Sequence, residues 1–351
     1  MTVNVAAISA ENEQQIPRQP WLHELRVAVN GNVTALSAPS GDMGAVVAGS
    51  YVATGAQGVY VDDRRAVSVL TVQLGDELPV PVADASSGER SDFLSCARQL
   101  GNPGADPTVE VRRARTVTAQ GITEVVDVVS HADEVVETDL VLRLGGDGSP
   151  ISVVKSGAAP SALLPGTPLA GGEAAGADRA GTQSPGGLSG VSGVTWSDEW
   201  HRTDVTFDPA PTSLVVGAPG GASVATFHLV VAPGQTSSVV ATVVASRLRR
   251  SSFAASSGAD RVDWSEVSID SVDRRLEPTV TSGLNDLRHL LLTDPEEPSA
   301  IFAAAGTPWF LTLFGRDSLW AARMALPFGT DLAAGTLRAL ARRQGTSFDA
   351  D

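Results

Sequence analysis

Arg316 and Asp317 stand side by side after Gly315, with Trp309, Phe310, Phe314 and Trp320 close to them in sequence. A guanidinium presents a planar fork of donors and a carboxylate two acceptors. Together they suit a polyhydroxylated ligand, whose neighbouring hydroxyls both donate and accept. Aromatic faces set against C–H surfaces beside a few fixed polar groups are the usual material of sugar sites. The same pair also fits a helix start, with Asp317 or Ser318 accepting from first-turn amides and Arg316 pairing with a distant carboxylate. Glycosidic hydrolysis needs one carboxyl group to protonate the leaving oxygen and a second to activate water or attack the anomeric carbon. Asp317 is the one residue of this segment that could serve as either, but the better assignment for it is binding. The substrate-binding candidates are therefore Arg316, Asp317, Trp309 and Phe314, with no catalytic residue placed in the chain.

Other chemistry-bearing patterns read as structural. Trp196-Ser-Asp-Glu-Trp-His201 sets Asp198 and Glu199 between two tryptophans. Adjacent carboxylates on a strand or turn diverge, so this is expected to be a sheet corner with packed indoles. Ser152-Val-Val-Lys155 lies in a β-branched run that points its two polar ends to opposite faces. The glycines of 156–193 lack the Gly-Lys-Ser/Thr that a phosphate loop requires. The five histidines are scattered with no metal-ligand spacing, so no metal or other cofactor is expected, and the single cysteine, Cys96, can form no internal disulfide. The short basic stretches Arg112–Arg115 and Arg247–Arg250 read as strand ends or solvated faces.

The run Pro308-Trp-Phe-Leu-Thr-Leu-Phe-Gly-Arg-Asp-Ser318, with Leu332-Ala-Ala-Gly-Thr-Leu-Arg338 and Arg342-Arg-Gln-Gly-Thr346, resembles the start of the catalytic domain of bacterial amylo-α-1,6-glucosidases. These are glycoside hydrolases of the glycogen-debranching type. Gly58–Val67 and Val109–Arg115 resemble the β-rich domain that precedes it, a weaker pattern than the Gly-Arg-Asp-Ser segment. In the wider clan of toroidal glycosidases the matching Arg-Asp pair holds the non-reducing-end sugar, a role the resemblance gives to Arg316 and Asp317. The general acid and base of such enzymes lie in later helix pairs, so they are expected beyond Asp351. The resemblance implies an α-glucan substrate, the branches of glycogen or maltodextrin. The reading from a different class is a non-catalytic β-sandwich that binds carbohydrate or a protein partner.

The elements that must hold such a site follow from periodicity. The chain has 351 residues, 42% hydrophobic, enough for two domains with sizeable cores. A net charge of −15 argues against a nucleic-acid partner. Residues 1–20 are polar and read as a flexible arm without a signal-peptide core, and no apolar run reaches membrane-spanning length, so a cytoplasmic protein is expected. Over 21–277, alternating runs such as Leu25–Val29, Ala66–Leu74, Val135–Leu144 and Ser237–Ala245, punctuated by turns like Asn30-Gly31, predict an antiparallel β-sandwich. Pro79 and Pro81 confine their segment to an edge or loop, and Asp84–Asp92 reads as turn-rich. Residues 156–193, dominated by Gly, Ala, Ser and Pro, read as a mobile insertion. From 278 the period turns helical. Thr281 or Ser282 is expected to cap a helix through Leu291 that stops at Asp294-Pro, and Leu319–Leu326 and Asp331–Arg343 are expected to form an αα-hairpin, the latter helix burying Ala333, Leu337, Leu340 and Ala341. By resemblance this is a mainly β fold, a supersandwich-like domain followed by the first helices of an (α/α)6 toroid, truncated.

Overall fold

A computed structural model describes residues 18–47, 50–52, 55–170, 191–250, 253–255 and 262–345. Most of the predicted arm and the centre of the predicted insertion lie outside the described residues. The architecture is antiparallel β with helices towards the C-terminus. An eight-stranded sheet runs in the spatial order Thr167–Ala170, Val191–Ser197, His201–Asp208, Thr236–Arg247, Gly121–Ser130, Val109–Thr118, Arg90–Cys96, Val80–Ser87. Two four-stranded sheets face it. One is ordered Ser213–Val215, Ser223–Val231, Val136–Gly145, Val69–Leu74, and the other Arg26–Asn30, Val33–Ser37, Gly58–Val61, Arg64–Val67.

Alternation builds the interior. Val136–Gly145 and Ser223–Val231 turn every second residue inward, delivering Leu140, Leu142 and Leu144 from one strand and Ala225, Phe227 and Leu229 from the other, with Leu140 directly across from Phe227. Their partners from the large sheet, including Ile122, Val126, Val205 and Val243, complete one contiguous core. The Asn30-Gly31 turn closes the first hairpin as expected, with Gly31 at φ 58°.

Several expectations are corrected. The run Ala66–Leu74 is two strands in two different sheets, because the chain crosses over at the fully buried Ser68, whose N–H donates to Gly145 O. Asp84–Asp92 is mostly strand: Val80–Ser87 forms the exposed edge of the large sheet and turns at Gly88 into Arg90–Cys96. Both prolines near it sit where no ladder is interrupted, at the edge or its irregular position. The insertion is narrower than 156–193, since Leu163 is buried and Thr167–Ala170 pairs with Val191–Ser197.

Arg113 and Arg115 are not solvated. They occupy inward positions of Val109–Thr118 and are buried with Glu124, which lies directly across from Arg115. Glu124 accepts from Arg113 Nε at 2.8 Å and from Arg115 Nε at 2.6 Å, and Asp42 takes Arg113 Nη1 at 2.6 Å. A second buried pair, Arg65 with Asp147, is bidentate. Charges can occupy a core only when paired in this way.

The C-terminal unit also departs from its expected form. Its first helix spans Leu276–Arg288, starting before Thr281 because Pro278 falls in the first turn, where its missing N–H leaves no bond unmade. Leu291–Asp294 and Glu297–Ala303 then form a β-hairpin in which Pro295 and Glu296 make the turn. Helices Gly315–Met324 and Asp331–Ala341 follow. The second buries Leu332, Gly335, Thr336 and Ala339, not the face predicted from Leu337, which is exposed. The strand below selects small residues: a Cβ at Gly335 would stand 2.2 Å from Ile301 O.

Candidate functional site

The segment between Ala303 and Gly315 carries the aromatic residues and is mounted on both units. Gly306 and Phe310 exchange backbone bonds of 3.0 Å, forming a tight loop. Thr307 Oγ1 meets Thr34 Oγ1 of the sandwich at 2.7 Å. Trp309 packs at the edge of a cluster made of Leu36, Ala56, Tyr60 and Val154, and its Nε1 is enclosed without an acceptor. Burial pushes the Tyr60 hydroxyl in this cluster up to about 12, so it stays protonated and donates to Ala56 O at 2.9 Å. Trp309 therefore anchors the segment to the sandwich.

Its neighbours face outward. Phe310 and Phe314 meet edge to face, with ring centroids 5.4 Å apart, and Lys155 Nζ lies 3.8 Å from the Phe310 centroid. Phe314 is the extended N-cap of helix Gly315–Met324. Arg316 and Asp317 occupy the first turn, both exposed, and neither side chain makes a hydrogen bond or ion pair among the described residues. No side-chain cap bond exists at this helix start, so the capping alternative for Asp317 and Ser318 is not what the structure contains. Ser318 is fully buried instead, and its hydroxyl donates to Ala303 O at 2.7 Å, pinning the first turn to the hairpin strand. The aligned first-turn amides favour the Asp317 carboxylate at this end of the helix. The result is an open ledge with donor fork, acceptor pair and two exposed phenyl rings, held from below by Ser318 and from behind by Trp309.

Beyond the ledge, Leu319, Trp320, Met324, Leu326 and Leu337 are all exposed. One helical hairpin cannot cover both of its faces, and this apolar surface is what that leaves open.

A second feature escaped sequence reasoning. A cleft of about 170 Å³ is lined from the sandwich by Asn32, Asp62, Asp63, Trp200 and His201, and from the C-terminal unit by Leu311 and Thr312, among others. Asp62 and Asp63 form a two-residue hairpin loop with φ of 49° and 63°. This is the backbone that Asn-Gly normally signals, so the Asp-Asp sequence hid the turn. The Trp196–His201 motif ends here as a corner, as expected. Asp198 Oδ1 accepts from the Trp200 and His201 amides at 2.6 and 2.7 Å, while Glu199 accepts from Trp200 Nε1 at 2.7 Å. The two carboxylates are thus committed to holding the turn. Cys96 is buried and unpaired, and His228 lies exposed beside Asp139 and Glu137. Among the described residues no group of His, Cys, Asp or Glu is arranged to hold a metal, and no helix is long and apolar enough to cross a membrane.

The fold and the ledge define a two-part protein, an antiparallel sandwich carrying a helical extension with an exposed polar and aromatic surface. The family model described as the N-terminal domain of (some) glycogen debranching enzymes matches residues 29–242, more than half of the chain, and the chain belongs to that family. Its matched region is the sandwich and stops short of the Arg316–Asp317 ledge. Among curated proteins none matches the chain. Solved structures with similarity include an aldose 1-epimerase from Escherichia coli K12, at 10% identity and TM-score 0.39, covering 64% of this chain and 99% of that one. A galactose mutarotase-like protein from Clostridium acetobutylicum matches at 8% identity and TM-score 0.38, covering 66% and 99%. A kojibiose phosphorylase from the human microbiome matches at 8% identity and TM-score 0.38, covering 63% of this chain and 30% of that one.

Proposed function

We propose that this chain is the N-terminal part of a glycoside hydrolase of the amylo-α-1,6-glucosidase type, acting on branches of glycogen or maltodextrin. In this reading residues 21–277 are the mounting sandwich and 278–351 open an (α/α)6 catalytic domain. Arg316 and Asp317 grip hydroxyls of the terminal sugar, Phe314 packs against its C–H face, and Trp309 fixes the ledge in place. The general acid and base belong to helix pairs that follow in the full-length enzyme, and this portion alone is inactive. The observation that carries the reading is the exposed Arg316–Asp317 pair: its polar groups are unspent on the fold, yet Ser318 holds its helix turn rigidly. The uncovered apolar face of the helical hairpin supports it, being the surface that further helix pairs would bury. A cytoplasmic location accords with the lone buried cysteine.

The test is turnover of a glycogen limit dextrin by the full-length protein and its Asp317→Ala variant. Loss of an acceptor that reads substrate hydroxyls lowers kcat/KM by about two to four orders of magnitude. Full turnover by the variant would remove Asp317 from the substrate site.

A further inference from the structure

The described chain concentrates positive charge in one place. Arg247, Arg249, Arg250, Arg342 and Arg343 line a cleft of about 750 Å³ between the sandwich and the C-terminal unit, in a protein whose net charge is −15. Arg247 ends the long strand Thr236–Arg247, and Arg342 and Arg343 follow the helix Asp331–Ala341, so two distant parts of the sequence supply the cluster. Among the described residues Asp294 and Glu296 share the lining, and Asp62 and Glu199 pair with Arg247 and Arg249 from beside it, so the arginines outnumber their acidic partners by one, the unpaired Arg250.

The guanidinium groups are positioned as well as gathered. Arg249 stacks 4.7 Å from the Trp200 ring centroid and Arg343 4.7 Å from that of Phe253. Arg247 is bidentate to Asp62, Arg343 Nη1 donates to Asp294 at 2.6 Å, and Arg342 Nη2 donates to Glu296 at 2.8 Å. Each guanidinium has five N–H donors, and these contacts leave some of them free on every member. Arg250 is exposed and forms no ion pair among the described residues. Arg249 Nη2 also donates to Glu199 at 3.1 Å and Arg342 Nε to Asp294 at 3.2 Å, and side chains already ordered by stacking and ion pairs lose little further freedom when a ligand arrives.

We propose that this cleft binds a small phosphate-bearing ligand. Guanidinium forks match phosphate oxygens in pairs, and several around one cavity favour a dianion over a monocarboxylate. The volume falls in the range of small-molecule sites. A nucleic acid is a poor fit, because it needs an extended basic stripe and would meet repulsion from the rest of an acidic protein. The ledge at Arg316 and Asp317 shares no residue with this cleft, so the proposal stands apart from the glycosidase reading.

The experiment is calorimetric titration of the full chain with inorganic phosphate, with glucose 1-phosphate and with glucose, repeated on Arg250→Gln and Glu296→Gln. Saturable binding of the phosphate-bearing probes is expected, weakened about tenfold or more by R250Q and strengthened severalfold by E296Q, which removes one of the two carboxylates held by Arg342. Both variants alter exposed side chains, so thermal melts should match the parent. A sugar ester that binds more tightly than inorganic phosphate identifies the ester as the ligand, and equal affinities identify the phosphate group alone. No saturable heat with either phosphate probe, or affinities that ignore both substitutions, would overturn the proposal.

Discussion

Glu124→Ala offers the sharpest probe of how this sandwich is held together. The carboxylate is fully buried and accepts three bonds, from Arg113 Nε at 2.8 Å, Arg115 Nε at 2.6 Å and Arg115 Nη2 at 3.1 Å. Truncation leaves two buried guanidiniums without it. Arg113 keeps Asp42 and the carbonyls of Ser40 and Gly41, but Arg115 keeps only the Gly41 carbonyl, at 2.7 Å. Removing one partner from a buried charge network costs about 3–5 kcal/mol, far above the ~1 kcal/mol of an exposed pair. Urea unfolding followed by tryptophan fluorescence, to which Trp196 of the sandwich core contributes, reads this loss. Burial alone would raise the Glu124 carboxyl, but Arg115 and Arg113 together hold it below the usual carboxylate range. Its folded pKa is depressed, so its contribution is present above the unfolded carboxylate value of about 4.3 and is lost as pH falls through the lower folded value. Replacing Glu124, Arg113 and Arg115 together by apolar residues should recover much of the loss. A Glu124→Ala protein within about 1 kcal/mol of the parent at neutral pH would refute the reasoning.

Gly335→Ala should detach helix Asp331–Ala341 from the strand beneath, because the added Cβ meets the Ile301 carbonyl at 2.2 Å and its nitrogen at 2.7 Å. Overpacking of about 1–3 kcal/mol is expected, read as faster amide exchange over 297–341 with the sandwich unchanged; unaltered exchange would count against that packing. Trp309→Phe should be neutral to stabilising, since it deletes an enclosed N–H with no acceptor. Trp309→Ala should cost about 3–5 kcal/mol through the lost packing. If W309F instead abolished binding of maltooligosaccharide to the full-length protein while leaving its melting point intact, Trp309 would be a sugar contact and not an anchor.

Local order carried much of the architecture. Period-two runs such as Val135–Leu144 and Ser237–Ala245 turned out to be strands, and Asn30-Gly31 closed its hairpin. The charged and aromatic residues around Gly315 were also visible as a group, because they are neighbours in the chain. Misread turns had local causes: Asp62-Asp63 adopts a glycine-like backbone without glycine, and Pro295 reads equally as a helix stop or a hairpin turn.

By itself, then, the sequence determined the two-residue alternation of most sandwich strands and the helical period past Gly315, since both follow from bonds between near neighbours. Tertiary structure alone decided which faces meet. In Val109-Glu-Val-Arg-Arg-Ala-Arg-Thr-Val117 the three valines share a parity with Arg113 and Arg115, so the alternation turns both arginines inward, and only the opposing Glu124 and Asp42 make that burial stable. The small-residue face of Asp331–Ala341 was likewise selected by the strand under it, and the arginine cleft exists only where the sandwich and the helical unit close on each other. Burial free energy depends on the partner across the interface, and that partner is distant in the chain.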